Sequence, residues 1–137
     1  MVEEGFCDHW ERVSQVTSNP QSVFAKHIVD TRKVVCTTTL AASRWKNTEV
    51  ATGGLVDEVT RLKAEKSNDI LAYGGPTFAS SLLSAGLIDE FHFFVNPSAL
   101  GQGKSMFQEV DHHVRLRLVR ATPFDCGVVV LECTLER

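Results

Sequence analysis

The sequence predicts an α/β fold: a mostly parallel sheet flanked by helices, with an antiparallel β-hairpin at its C-terminal end. Three observations carry that expectation. Short β-branched runs alternate with segments of helical periodicity as far as Pro97, and Gly74-Gly75-Pro76 punctuates the clearest strand-to-helix passage. Beyond Val114 the chain turns to strand patterning alone.

The elements follow in order. Ser22 to Val29 places Val23, Phe24, His27 and Ile28 on a short helical face. Arg32 to Thr37 is a compact β-branched run, the pattern of a buried strand. A polar loop through Thr38, Ser43 and Asn47 leads to a second short run, Thr48 to Ala51, which Gly53-Gly54 breaks. Leu55, Val56, Val59 and Leu62 recur at helical spacing up to Lys66, with Asp57 and Glu58 near the positive end of that helix. Asp69 to Tyr73 reads as a strand and Gly74-Gly75 as a turn. Pro76 reads as the first residue of a helix with the buried stripe Phe78, Leu82 and Leu83, ending at Gly86. Asp89 to Asn96 is a further strand, closed by Pro97, and a glycine-bearing loop covers Ser98 to Lys104. Val114, Leu116 and Leu118 alternate with His113, Arg115, Arg117 and Val119 as a strand with one wet face. Phe124 to Gly127 makes a turn, and Val128 to Leu135 returns as the second arm of the hairpin.

Composition narrows the function. The chain has 137 residues, 43% hydrophobic and 23% charged, with formal net charge −3. That length fits a single domain and buries enough surface to fold without disulfides or metal. No basic stripe exists to release phosphate counterions, which argues against nucleic acid as a partner. Apolar runs such as Val128 to Leu131 are far too short to span a membrane. Glu3, Glu4 and Asp8 stand where a secretory leader needs a basic and then an apolar stretch. Cys7, Cys36, Cys126 and Cys133 are scattered without a CxxC pair and read as free thiols in a reduced cytoplasm. No metal site is expected, because neighbours such as His112 and His113 point to opposite faces of a strand.

The motifs that could carry chemistry are few. At Gly74-Gly75 two residues without Cβ let a phosphate approach the backbone, and the helix start offers unpaired N–H groups and a positive dipole end. Thr77 adds a hydroxyl. A plain tight turn has the same sequence, so the motif alone leaves both readings open. Gly101-Gln102-Gly103-Lys104-Ser105 ends like a P-loop, but the first glycine of GxxxxGK[ST] would fall on Ser98 and no long amphipathic helix follows, which disfavours a nucleotide hydrolase. Cys36-Thr37-Thr38-Thr39 at the end of a strand could bond phosphate or ribose oxygens, with Arg44 and Lys46 near in sequence; taken alone, threonines are simply good strand formers. Asp89-Glu90 would act as an acid/base pair only if buried, and reads better as an exposed helix-to-strand boundary. His92 alternates with Phe91 and Phe93 and faces away from them.

The run Asp69 to Phe107 (DILAYGGPTFASSLLSAGLIDEFHFFVNPSALGQGKSMF) resembles the C-terminal half of the dihydrofolate-reductase-like family. That family includes the reductase domain of bifunctional riboflavin-biosynthesis deaminase/reductases. The shared pattern is a strand, Gly-Gly and a helix, Gly-Leu-x-Asp-Glu, a strand, and a Pro-x-x-Leu-Gly-x-Gly loop ending in Phe. Trp10 to Thr39 and the hairpin with Phe124-Asp125-Cys126-Gly127 are similar as well, so the resemblance covers nearly the whole chain. It implies an NADPH-dependent reductase of the phosphoribosylaminouracil reductase type, with hydride transfer to a small heterocycle. It places the dinucleotide phosphates at Gly74, Gly75, Thr77 and Phe78 and the 2′-phosphate near Thr37, Thr38 and Thr39; it assigns no catalytic residue.

Two departures shape the expectation. The family's opening strand with a Met-Ser-x-Asp-Gly-like motif, its helix and a strand ending in Gly-Arg have no counterpart here, so the single domain over residues 1–137 is expected to be N-terminally truncated and a poor reductase as it stands. The alternative is a catalytically inactive relative serving as a nucleotide-binding or oligomeric module. Tyr73 stands where riboflavin-pathway reductases often carry glutamate, which points to the general dihydrofolate-reductase-like branch. The gap is expected to open the edges of Lys33 to Cys36 and Asp69 to Tyr73 and to uncover Phe91, Phe93 and Val95. A homodimer or higher homo-oligomer follows, with the hairpin Val114 to Leu135 near the interface.

Overall fold

The computed structural model describes residues 4–65 and 68–136. The chain divides into two compact units, one up to Glu58 and one from Val59 onward.

The first unit opens with a helix that the sequence reading did not include, α1 (Glu4–Gln15). Phe6, Cys7, Trp10 and Val13 recur on one side of it, and Cys7 and Val13 are buried. It packs on α2 (Ser22–Asp30), whose buried residue is Ala25. The expected apolar face of α2 is therefore displaced: Val23 is 81% exposed, and Phe24 is half out, meeting Trp10 edge-on at 5.3 Å between ring centroids. A small residue at the contact lets two helix backbones come close, which a larger side chain there would prevent. Phe6 adds an edge contact to the buried Trp45 at 5.7 Å.

Two short strands complete this unit. β1 (Lys33–Cys36) and β2 (Thr48–Ala51) pair in parallel, Lys33 opposite Thr48 through Cys36 opposite Ala51. Lys33 joins strand to helix: its Nζ donates to the carbonyls of Ile28 at 3.0 Å, Val29 at 2.9 Å and Thr31 at 2.6 Å, and lies 4.6 Å over the Trp45 ring. The last carbonyls of a helix lack intrahelical partners, and here a lysine supplies them. Burial pushes the Lys33 pKa down from its ordinary value despite nearby Asp30.

α3 (Leu55–Ala64) carries the boundary between the units, and none of its residues is buried. Its expected extension to Lys66 lies outside the described residues. In the second unit, α4 (Pro76–Ser84) begins with proline, as the sequence requires, and ends in a two-bond C-terminal cap. Leu87 N–H donates to Leu82 O and Gly86 N–H to Leu83 O, with Gly86 at φ +65°, a conformation glycine adopts without Cβ strain.

β3 (Glu90–Val95), β4 (Leu116–Pro123) and β5 (Val129–Leu135) form an antiparallel sheet in the order β3-β5-β4. The hairpin is present as expected: Phe124 N–H donates to Val128 O, and Gly127 stands at φ +87° in the turn. The alternation of β3 is also as expected. Phe91 is 4% exposed and forms the core with Leu83 and Cys133, with Ile88, Phe93, Val114, Leu116 and Leu131 packed around them.

Three expectations are corrected. Among the described residues the strands form two sheets, not one mostly parallel sheet: β1 and β2 make a parallel pair, and the larger, three-stranded sheet is antiparallel, because β3 finds its neighbour in β5. Asp69 to Tyr73 joins neither sheet; Leu71 is 87% exposed, and Ile70 and Tyr73 are exposed beside it. A β-branched or aromatic pattern becomes a strand only where a ladder accepts its backbone groups. Phe91 and Phe93 are not uncovered, since β5 supplies their cross-strand neighbours Cys133 and Leu131, whereas Val95 is exposed.

Candidate cofactor site

The Gly74-Gly75 turn feeds straight into α4. Gly75 is the N-cap, with φ −76° and ψ 173° in extended backbone, and no side chain caps the helix. Pro76 has no N–H, so Thr77 and Phe78 offer the first backbone donors, and helix geometry gives them no intrahelical acceptor. The two glycines differ in surroundings. A Cβ on Gly74 would meet Phe78 Cδ1 at 2.5 Å, whereas a Cβ on Gly75 would meet nothing within 4 Å. Gly74 thus gives way to the Phe78 ring, and Gly75 leaves open space in front of the helix start. Gly74, Gly75, Thr77 and Phe78, named from the sequence, stand on this one turn.

The loop after β3 reaches the same helix. Ser98 to Lys104 is exposed and carries no phosphate-binding helix behind it; turn residues 106–109 follow. Ser105 Oγ accepts the Phe107 N–H at 3.0 Å. Gln108 Nε2 lies 3.5 Å from Thr77 Oγ1, and Glu109 is bonded to Ser80, Ser81 and Ser84 of α4. Sequence reasoning passed over Gln108, Glu109 and these serines. The available signal was the spacing of Ser80, Ser81 and Ser84 along one helix, too ordinary to single out.

Thr37, Thr38 and Thr39 lie in the first unit, at the C-terminal end of β1, the end where open α/β sheets present ligands. Thr37 Oγ1 accepts the Thr39 N–H at 3.2 Å and lies 3.4 Å from Thr39 Oγ1, so the three fold into a small hydroxyl-lined turn. Arg44, named as a nearby charge, is engaged by Asp8 at 3.1 and 3.2 Å. Cys36, just before the threonines, has its thiol pushed up by burial, so it stays protonated near neutrality.

Asp89 and Glu90 are exposed, as the boundary reading has it. Asp89 is paired with Lys63, and Glu90 Oε1 lies 2.6 Å from His92 Nε2. Across the sheet His92 stands opposite Glu132, and Arg120 grips Glu132 with both Nε and Nη2 at 2.5–3.0 Å. That grip holds the Glu132 carboxyl below its ordinary pKa. Glu90, His92, Glu132 and Arg120 form a polar row on the sheet face opposite Phe91 and Phe93.

The sequence pattern of the RibD C-terminal domain matches residues 6–130. Two uncharacterised proteins of Bacillus subtilis (strain 168) are similar over part of their length. YyaP is 36% identical over 75 residues, covering 55% of this chain and 40% of YyaP, and YwjB is 38% identical over 68 residues, covering 50% and 39%. The matched stretches thus span less than half of either relative. Among solved structures, a provisionally named riboflavin biosynthesis protein from Shewanella sp. PV-4 superposes with TM-score 0.67 at 21% identity, covering 99% of this chain and 81% of that one. A pyrimidine reductase-like protein from Corynebacterium diphtheriae NCTC superposes with TM-score 0.57 at 19% identity, covering 76% and 49%. At such identities the likeness is one of fold. The family match includes the threonine turn, the glycine turn, α4 and most of the hairpin, and the chain belongs to the RibD C-terminal domain family.

Proposed function

We propose that this chain binds NADPH and serves a reductase that transfers hydride to a small heterocycle. The observation that carries the proposal is the open approach at Gly75, directly before a helix start whose first donors have no cap. A phosphate needs that combination: backbone N–H groups aimed at it, a favourable dipole and no Cβ in its path. The residues present fit the group. Thr77 and Phe78 would donate their N–H groups to the dinucleotide phosphates, and Gly75 would admit them. The preference for NADPH over NADH rests on the family resemblance alone, which assigns a 2′-phosphate to Thr37, Thr38 and Thr39 of the first unit.

When bound, NADPH supplies the hydride. The chain's own part is to hold, orient and exclude water, and family membership supports a reductase over a purely oligomeric module. Titration calorimetry with NADPH and NADH tests the reading. NADPH is expected to bind more tightly; equal affinities would remove the threonines from the site. An absence of heat with both at millimolar concentration would remove the cofactor.

A further inference from the structure

The loop after β3 is fastened to α4 chiefly at Glu109. Ser80, 0% exposed, accepts the Glu109 N–H at 2.9 Å, and Ser84 Oγ donates to the Glu109 carbonyl at 3.0 Å. Ser81 Oγ bonds Thr77 O at 2.9 Å and lies 3.3 Å from a Glu109 carboxylate oxygen. Both backbone polar groups of Glu109 are thus held by side chains of one helix. That clamp keeps the preceding residue, Gln108, over the first turn of α4, where its Nε2 lies 3.5 Å from Thr77 Oγ1.

The chemistry of this contact has a direction. A carboxamide N–H can only donate, whereas a threonine hydroxyl has one hydrogen and two lone pairs. With one lone pair of Thr77 turned to Gln108, the hydroxyl hydrogen is left for an acceptor on its other side. We infer that Gln108 is a positioning residue: it holds the Thr77 hydroxyl as a donor toward a cofactor phosphate, with Glu109 and the three serines holding Gln108 in turn. This inference rests on the NADPH site proposed above.

A double-mutant cycle on the whole chain tests it, with NADPH affinity by calorimetry and the thermal midpoint as a second readout. Gln108→Ala is expected to weaken NADPH about three- to tenfold, the worth of one neutral hydrogen bond. Thr77→Val should weaken it at least as much, and the double variant no more than Thr77→Val alone, because Gln108 acts through that hydroxyl. Gln108→Glu, which would accept the hydroxyl hydrogen and set a negative charge nearby, should cost tenfold or more. Thermal midpoints are expected to match the parent throughout. Losses that add in the double variant would overturn the inference, as would a Gln108→Ala chain that binds like the parent; in both cases the cofactor site survives. A parent chain that binds no NADPH would overturn both.

Discussion

The ring of Phe78 stands where Gly74 would carry its Cβ, with only 2.5 Å from that position to Phe78 Cδ1. One residue later the same construction on Gly75 meets nothing within 4 Å. Adjacent glycines in one turn therefore differ in surroundings, the first closed by internal packing and the second open.

Substitution separates the two. Gly74→Ala is expected to destabilise the fold by about 1–3 kcal/mol, because the Phe78 ring must shift from its place. Gly75→Ala keeps an extended backbone that any residue adopts, so its denaturation midpoint is expected to stay near the parent's while NADPH binding is lost. Chemical denaturation and calorimetry on both variants check this. A Gly75→Ala chain that still binds would place the phosphate elsewhere.

Lys33 caps the end of α2 with three carbonyl bonds and lies over Trp45. Lys33→Met retains the apolar stem and removes the donors, so it is expected to cost about 1–3 kcal/mol in urea unfolding. An unchanged midpoint would mean that water serves those carbonyls equally well.

Acid stability follows from the Arg120–Glu132 grip. The folded-state pKa of Glu132 is depressed, so its contribution is present above the ordinary glutamate range and is lost as pH falls through the folded value. His92 and Glu90 face the same row. Glu132→Gln is therefore expected to lower stability at neutral pH and to flatten the fall in stability on acidification. Denaturation midpoints from neutral to acid pH measure the slope, and parallel curves for parent and variant would assign acid sensitivity to other carboxylates.

Association of copies is the fourth expectation. Leu118 and Val119 on β4 and Phe124 in the hairpin turn are each about half exposed, on the segment that the sequence reading set near an interface. Light scattering after gel filtration is expected to give a homodimer or larger, and Leu118→Lys to shift the mass toward the monomer. A parent chain that runs as a monomer at tens of micromolar would remove this expectation.

Local signals in the sequence were read where they act locally. Pro76 and Gly86 bracket α4 because one pre-sets a helical φ and the other accepts a positive one, and neither depends on distant neighbours. Phe91, His92 and Phe93 alternate as written because a strand's period is fixed by its backbone. Pairing was harder to read. Asp69 to Tyr73 has the composition of a strand but no ladder in either sheet, and β3 gained an antiparallel neighbour that nothing within Glu90 to Val95 specifies. α1 escaped because its stripe of Phe6, Cys7, Trp10 and Val13 is interrupted by charges. At the candidate site the glycine turn was legible, while Gln108 and Glu109 were not, since their roles come from a loop folding back on a helix.

The order β3-β5-β4 sets a timetable for synthesis. β3 leaves the ribosome long before residues 129–135, yet β5 is its sheet partner, and β5 also pairs β4 along its other edge. Until that last strand emerges, Phe91 and Phe93 lack their cross-strand partners, and the nascent unit has helices but no sheet. Closure is a late, all-at-once event in which one strand completes two ladders. A ribosome stalled before Val129 would display an apolar, unpaired segment to whatever chaperone or neighbouring chain lies within reach.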